Sequence, residues 1–182
     1  MILTHYPAGP QPETWRFDTS RVYAQTRGAD NKPCWQALKP RGLWLSYDTG
    51  PSVGWAEWCA DNMPDWQHTV GYPVEVDLDR CLIIDSIDAA VDFHDRHSVE
   101  AFPGINVIDW FDVIRDYAGM FVSRYERGAS YATGRHMIWY EAWDCASAVI
   151  WDLTALRPAA MVPHRNTDCL GPGPVVTQGA FW

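Results

Sequence analysis

The sequence predicts an α+β domain, a single unit with a mixed, mostly antiparallel split β-core and short helices. Two observations predict it. Short alternating or apolar runs outnumber segments with helical spacing, and those helical segments are brief and scattered. There is also no long βαβ alternation with a Gly-rich phosphate loop, which argues against a Rossmann or P-loop architecture.

The elements follow in order. "MILTHY" reads as a first strand ending at His5 and Tyr6, followed by the proline-rich loop "PAGPQPET". "SRVYAQTR" reads as a second strand, and "GADNKPCWQALKPR" is turn-rich. In "GLWLSY", Leu43 and Leu45 face one way and Trp44 and Ser46 the other, the period of a half-buried strand. "PSVGWAEWCADN" has helical spacing: Trp55, Trp58 and Cys59 share a face, Ser52 is the expected N-cap, and Asn62 and Pro64 mark the end. "YPVEVDLDRCLIID" alternates at Val74 and Val76 and then runs apolar through Cys81 to Ile84. "SIDAAVDFHDRH" reads as a short helix opened by Ser86. "IDWFDVIRDY" reads as a helix capped by Asp109, with Trp110, Val113, Ile114 and Tyr117 on one face. "GMFVSRY", "HMIWYEAW" and "SAVIWDL" read as strands, the last two being separate or joined through "DCA". The organisation expected is a domain over 1–157 and a Pro/Gly-rich tail over 158–182, loosely packed or disordered.

At 182 residues the chain is long enough to bury a core without disulfides or a structural metal. Its net charge is −9 and it has no basic run, so binding of extended duplex DNA is not expected. Cysteines stand at 34, 59, 81, 145 and 169, an odd number with no C-x-x-C pair, which suggests reduced thiols in a cytoplasm. The N-terminus has neither a basic start nor a long apolar run, so no signal peptide is expected, and no apolar stretch suggests a membrane helix.

The chemistry-bearing candidates form three groups. His5 closes the first strand, where its ring either hydrogen-bonds a ligand hydroxyl or sits at a frayed surface. Gly42 allows a tight turn into "GLWLS", where Trp44 offers a stacking wall and Ser46 a hydroxyl. The following helix adds Trp55, Trp58 and an N-terminus able to favour a phosphate. With 11 tryptophans in the chain, each has two readings, core or ligand platform. In "WYEAWDCAS", read as a strand, Glu141 shares a face with Trp139. A carboxylate in such surroundings is either functional or an exposed edge residue. "HDRH" spaces His94 and His97 for one helix face without a third ligand, so a solvated helix end is expected rather than a metal site.

Taken in order, "LTHY", "GLWLSYDTGPSVGWAEW", "YPVEVDLDRCLIID", "DYAGMFVSRY" and "WYEAWDCAS" resemble the ADP-ribosyltransferase fold family, over roughly residues 1 to 155. The segments "KPxGLWxS" and "WDxASxxIW" are also similar to phage and actinobacterial chains from which no function transfers. The family resemblance implies an NAD-dependent mono-ADP-ribosyltransferase. His5, Tyr6, Gly42, Trp44, Ser46 and Trp55 would hold NAD, and Glu141 would be the catalytic carboxylate stabilising an oxocarbenium-like state. The acceptor would be a protein or a single-stranded nucleic acid. A toxin role or one in phage–host conflict fits the same family, while a cytoplasmic location and no membrane partner are expected from the thiols and the lack of a long apolar run. One departure stands out. Counted back from the aromatic–Asp pair Trp143–Asp144, the family's glutamate falls at 139, where this chain has Trp139, with Glu141 two residues on. A non-catalytic nucleotide or ADP-ribose module on the same scaffold is the alternative. An interaction protein whose tryptophans are only core is the third.

Overall fold

The computed structural model describes residues 1–7, 18–25, 38–66, 70–157 and 164–165. Two strands at its centre are buried along their whole length: β7 (Gly119–Val122) and β8 (Ser147–Ile150). Their sequences, "GMFV" and "SAVI", have no polar alternation, as expected of strands covered on both faces. They pair antiparallel, with Met120 opposite Val149. β2 (Leu43–Ser46) lies on the other side of β8 in antiparallel register, with Ser46 opposite Ser147. β1 (Ile2–His5) then pairs with β2, and β3 (Val70–Val76) with β1. β4 (Cys81–Ile84) adds to β7 in parallel, the one parallel pairing among the described strands. A strand pairing in parallel needs a long crossover, and residues 85–118 supply it.

That crossover holds α2 (Ile87–His97), the hairpin β5 (Ser98–Phe102) and β6 (Ile105–Ile108), and α3 (Trp110–Asp116). Both helices start as the sequence predicts. The Ser86 side chain accepts from the Ala89 amide, and the Asp109 side chain from the Phe111 amide. The hairpin was not read from sequence. It turns at Pro103–Gly104, and Gly104 has a φ of 78°, a conformation that glycine adopts at little cost. Three other expectations change. "SRVYAQTR" supplies only an isolated bridge, Val22 with Asp152, and its residues 26–27 lie outside the described residues. Of the tail, His164–Arg165 forms a two-residue strand on β3, alongside a second short strand at Leu156–Arg157; the rest of it lies outside the described residues. "HMIWYEAW" is not a strand at all but contains a helical turn, treated below.

The sheet separates two apolar layers. Leu3, Leu43, Leu45, Val74, Phe121 and Ile150 fill one side. Met120, Val122, Val149 and Trp151 meet the helices on the other, together with Phe93, Trp110, Trp139, Tyr140 and Trp143. Several tryptophans are therefore core: Trp139, Trp143 and Trp151 are almost fully buried, each contributing on the order of a few kcal/mol of burial. His94 also belongs to this interior at 5% exposure, which overturns the solvated-helix-end reading of "HDRH". Its Nδ1 has no hydrogen-bond partner among the described residues, and burial lowers its pKa. The His97 Nδ1 stands 3.4 Å from the Asp112 carboxylate, within ion-pair reach but without hydrogen-bond geometry. No group of three or more metal-ligating side chains occurs among the described residues. None of the described helices is long and apolar enough to cross a membrane.

Candidate functional site

Of the candidate residues, Tyr6, Ser46 and Trp55 are linked where β1 and β2 end and α1 (Trp55–Asn62) begins. Ser46 is 3% exposed, and its hydroxyl is already committed. Oγ accepts from the Trp55 amide at 2.7 Å and donates to Asp48 Oδ1 at 2.5 Å. It therefore does for α1 what an N-cap side chain does, from another element. The expected cap, Ser52, has no such role; the cap position is Gly54, which offers no side-chain bond. Glycine is required there by space. A Cβ on Gly54 would stand 2.5 Å from Asp48 Oδ1 and 3.0 Å from Ser46 Oγ.

Asp48 is the residue that the motif reading missed. Its second oxygen accepts from the Tyr6 hydroxyl at 2.9 Å, so two hydroxyls, Ser46 on β2 and Tyr6 just after β1, fix an exposed carboxylate. Tyr6 reaches it because Gly71 on β3 leaves room: a Cβ there would meet Thr4 Cγ2 at 2.5 Å and Tyr6 Cε1 at 2.9 Å. The sequence signal was the S-x-D spacing at the strand's end. The carboxylate also changes the expectation for the helix N-terminus. With Asp48 Oδ1 this close to Gly54, the start of α1 already faces a negative charge, and a phosphate placed there would be repelled.

His5 is half-buried, with Nδ1 2.9 Å from the Trp44 carbonyl oxygen. A carbonyl only accepts, so Nδ1 carries the hydrogen and Nε2 is the acceptor of the neutral ring. The register pairs Leu3 with Val74 and His5 with Tyr72, which puts His5 on the same sheet face as Leu3. Ser46, opposite Thr4, takes the other face along with Trp44. The structure thus joins His5 to Trp44 through the backbone but does not bring the His5 ring and the Ser46 hydroxyl onto one face.

Trp44 is partly exposed. Its ring packs on Trp143, centroids 4.7 Å apart and planes tilted by 58°. The Lys39 ammonium lies over it, 5.3 Å from the centroid, and pairs with Asp144 Oδ2 at 2.9 Å. Trp55 and Trp58 stack on each other at 5.1 Å and 13°, each half-buried. Gly42 has a packing role: a Cβ there would stand 2.7 Å from the Ile150 carbonyl oxygen and from Val149 Cγ2 on β8. It permits close approach of two strands, where the sequence suggested a tight turn.

Glu141 is corrected most. It ends α5 (Ile138–Glu141), a helical turn, so the strand alternation expected around it does not exist. The helix forms because it buries Trp139 and Tyr140, and Trp143 after it, against the sheet. Glu141 accepts a hydrogen bond from Ser130 of α4 (Ala129–Ala132) and is bonded to none of the β1–β2 candidates. Beside it Tyr125 stacks on Tyr140 at 5.0 Å. Burial pushes the Tyr125 phenol up, and the Glu141 and Asp144 carboxylates push it further. The strand that follows, β8, runs into a second aromatic–Asp pair, Trp151–Asp152. The same count back from that pair lands on Ser147, directly opposite Ser46. Its hydroxyl donates to the Cys145 carbonyl at 3.1 Å, and no carboxylate occupies β8.

Around Cys145 the charges converge. Burial raises this thiol to about 12, and Asp144, Lys39 and Asp48 all act on it. The backbone joins the same loops: the Tyr47 amide donates to the Ala146 carbonyl at 3.0 Å, and the Ala146 amide to the Val53 carbonyl at 2.9 Å. The candidate site is thus a patch of half-buried rings and fixed charges: Lys39, Trp44, Asp48, Tyr6, Trp55 and Asp144. The chain matches no protein-family model, no curated protein and no solved structure.

Proposed function

We propose that the chain is a non-catalytic module that binds an ADP-ribosyl nucleotide, NAD or ADP-ribose, at the β1–β2–α1 patch. The observation that carries this reading is the Asp48 carboxylate, held by the Ser46 and Tyr6 hydroxyls beside half-buried aromatic rings. A fixed carboxylate suits a ribose diol, and flat rings suit a base or nicotinamide. The family resemblance supplies the ligand class. The serine at 147 on β8 and the engagement of Glu141 with Ser130 favour binding over cleavage of the glycosidic bond.

The test is a titration of NAD and of ADP-ribose into the protein with a thermal-shift readout. Ligand at 100 times its Kd stabilises by about 2.7 kcal/mol. That moves the melting point of a chain this size by roughly 5–10 °C. Binding without release of nicotinamide supports the module. No shift with either ligand removes the nucleotide reading and leaves a protein whose tryptophans serve packing and interaction.

A second reading keeps the activity, an NAD-dependent mono-ADP-ribosyltransferase acting on a protein or an exposed nucleobase. The contact that favours it is the bond fixing Glu141 to Ser130 beside Tyr125, a half-buried carboxylate held in one orientation. It requires nicotinamide release by the wild type and its loss in Glu141→Ala.

A further inference from the structure

We propose that Lys39 is the phosphate-recognition residue of this patch, held over Trp44 by Asp144 until a ligand's phosphate replaces that carboxylate. The inference rests on the nucleotide reading above and adds the group that selects phosphorylated ligands. Lys39 and Asp144 are 36% and 32% exposed in their side chains, so their 2.9 Å pair is solvated and costs little to break. The ammonium also covers the Trp44 ring at 5.3 Å. A flat base settling on Trp44 must move it.

The Lys39 ammonium is held between the Trp44 ring and the Asp144 carboxylate, and Asp48 stands at the end of the same strand, bonded to Ser46. A ligand carrying phosphates meets two carboxylates there, and Lys39 is the group that offsets them. On binding, the ammonium exchanges Asp144 for a phosphate oxygen, so the site gains stacking and keeps its ion pair. A nucleoside without phosphate gains the stacking but strands the ammonium. The site therefore discriminates by phosphate. Asp144 sits in the left-handed region, φ 73°, which aspartate tolerates better than most residues, with its Oδ2 2.9 Å from Lys39 Nζ.

The test is calorimetric titration of ADP-ribose and of adenosine into wild type, Lys39→Ala, Lys39→Arg and Asp144→Asn, with melting curves verifying that each variant is folded. Lys39→Ala is expected to weaken ADP-ribose about tenfold or more, the loss of a charge-assisted contact, and to leave adenosine equal or tighter, since its base no longer displaces the ammonium. Lys39→Arg keeps most of the affinity. Asp144→Asn tightens ADP-ribose by up to about fivefold, because the competing carboxylate is gone. Unchanged ADP-ribose affinity in Lys39→Ala overturns the inference while the nucleotide reading stands. Equal weakening of adenosine also overturns it, because Lys39 would then serve the ring and not the phosphate. Absence of ADP-ribose and NAD binding in the wild type ends both.

Discussion

Replacing Ser46 by alanine separates two roles that a motif alone cannot distinguish: a hydroxyl offered to a ligand and a hydroxyl that starts a helix. In the structure Oγ takes the Trp55 amide at 2.7 Å and is 3% exposed as a residue, so removing it strands the first amide of α1 in a partly buried place. Loss of a side-chain cap costs about 1 kcal/mol, and a stranded buried donor costs about 1–3 kcal/mol. These describe one event and are not added. About 1.5 kcal/mol is the resulting figure, a fall in melting temperature of roughly 3–6 °C for a chain of this length. The lost bond to Asp48 adds little, since that carboxylate is exposed. The assay is a tryptophan-fluorescence melt, paired with hydrogen exchange at residues 55–58, where protection should fall before it falls in β7 or β8. A Ser46→Ala protein that melts like the wild type, with unchanged protection at residues 55–58, would refute this, whatever its affinity for ADP-ribose, because the same hydroxyl also holds Asp48.

Three further outcomes follow from the same contacts. Gly42→Ala drives a methyl to within 2.7 Å of the Ile150 carbonyl oxygen and should destabilise by about 1–3 kcal/mol in a urea melt, with ligand affinity of the folded fraction unchanged. Burial raises the thiols of Cys59 and Cys81 to about 11 and that of Cys145 to about 12, so a thiol reagent followed by peptide mass spectrometry should label these three only as the protein unfolds. Burial, aided by Arg135 and opposed by Asp95, lowers the folded-state pKa of His94. Its contribution is therefore full above the unfolded value near 6.5 and is lost as pH falls through that value toward the folded one. Unfolding free energies between about pH 7.5 and 5.5 should then fall less steeply in His94→Leu than in the wild type.

How much of this was legible depends on where each signal lies. Ser86 and Asp109 are caps readable from a few adjacent residues, and both act as read. The strands β2, β3, β7 and β8 follow from alternation or from unbroken apolar runs. The partners of the site do not lie close in sequence. Lys39 and Asp144 are separated by 105 positions, and Tyr6 and Asp48 by 42. No local pattern announces such a pair. Gly42, Gly54 and Gly71 were informative in kind only: a glycine signals close approach, but what approaches comes from another strand or loop.

The segment "WYEAW" shows why the carboxylate was misplaced. Trp139, Tyr140 and Trp143 are large, apolar and aromatic, and such residues favour strands, so alternation is the natural reading of "HMIWYEAW". Trp139 and Trp143 are also i and i+4, and burial chose that period, because a single turn drops both rings and Tyr140 into the same layer under α2 and α3. The strand comes next, at β8, whose "SAVIWD" ends in its own aromatic–Asp pair. The consequence is chemical. The position opposite Ser46 is Ser147, a group that accepts and donates hydrogen bonds but carries no charge to stabilise a developing cation. Glu141 remains a fixed carboxylate, but it is anchored on a different element and bonded to Ser130. Catalysis by Glu141 would therefore have to be organised from α4 and α5, whereas binding needs only the patch that β1, β2 and α1 already hold together.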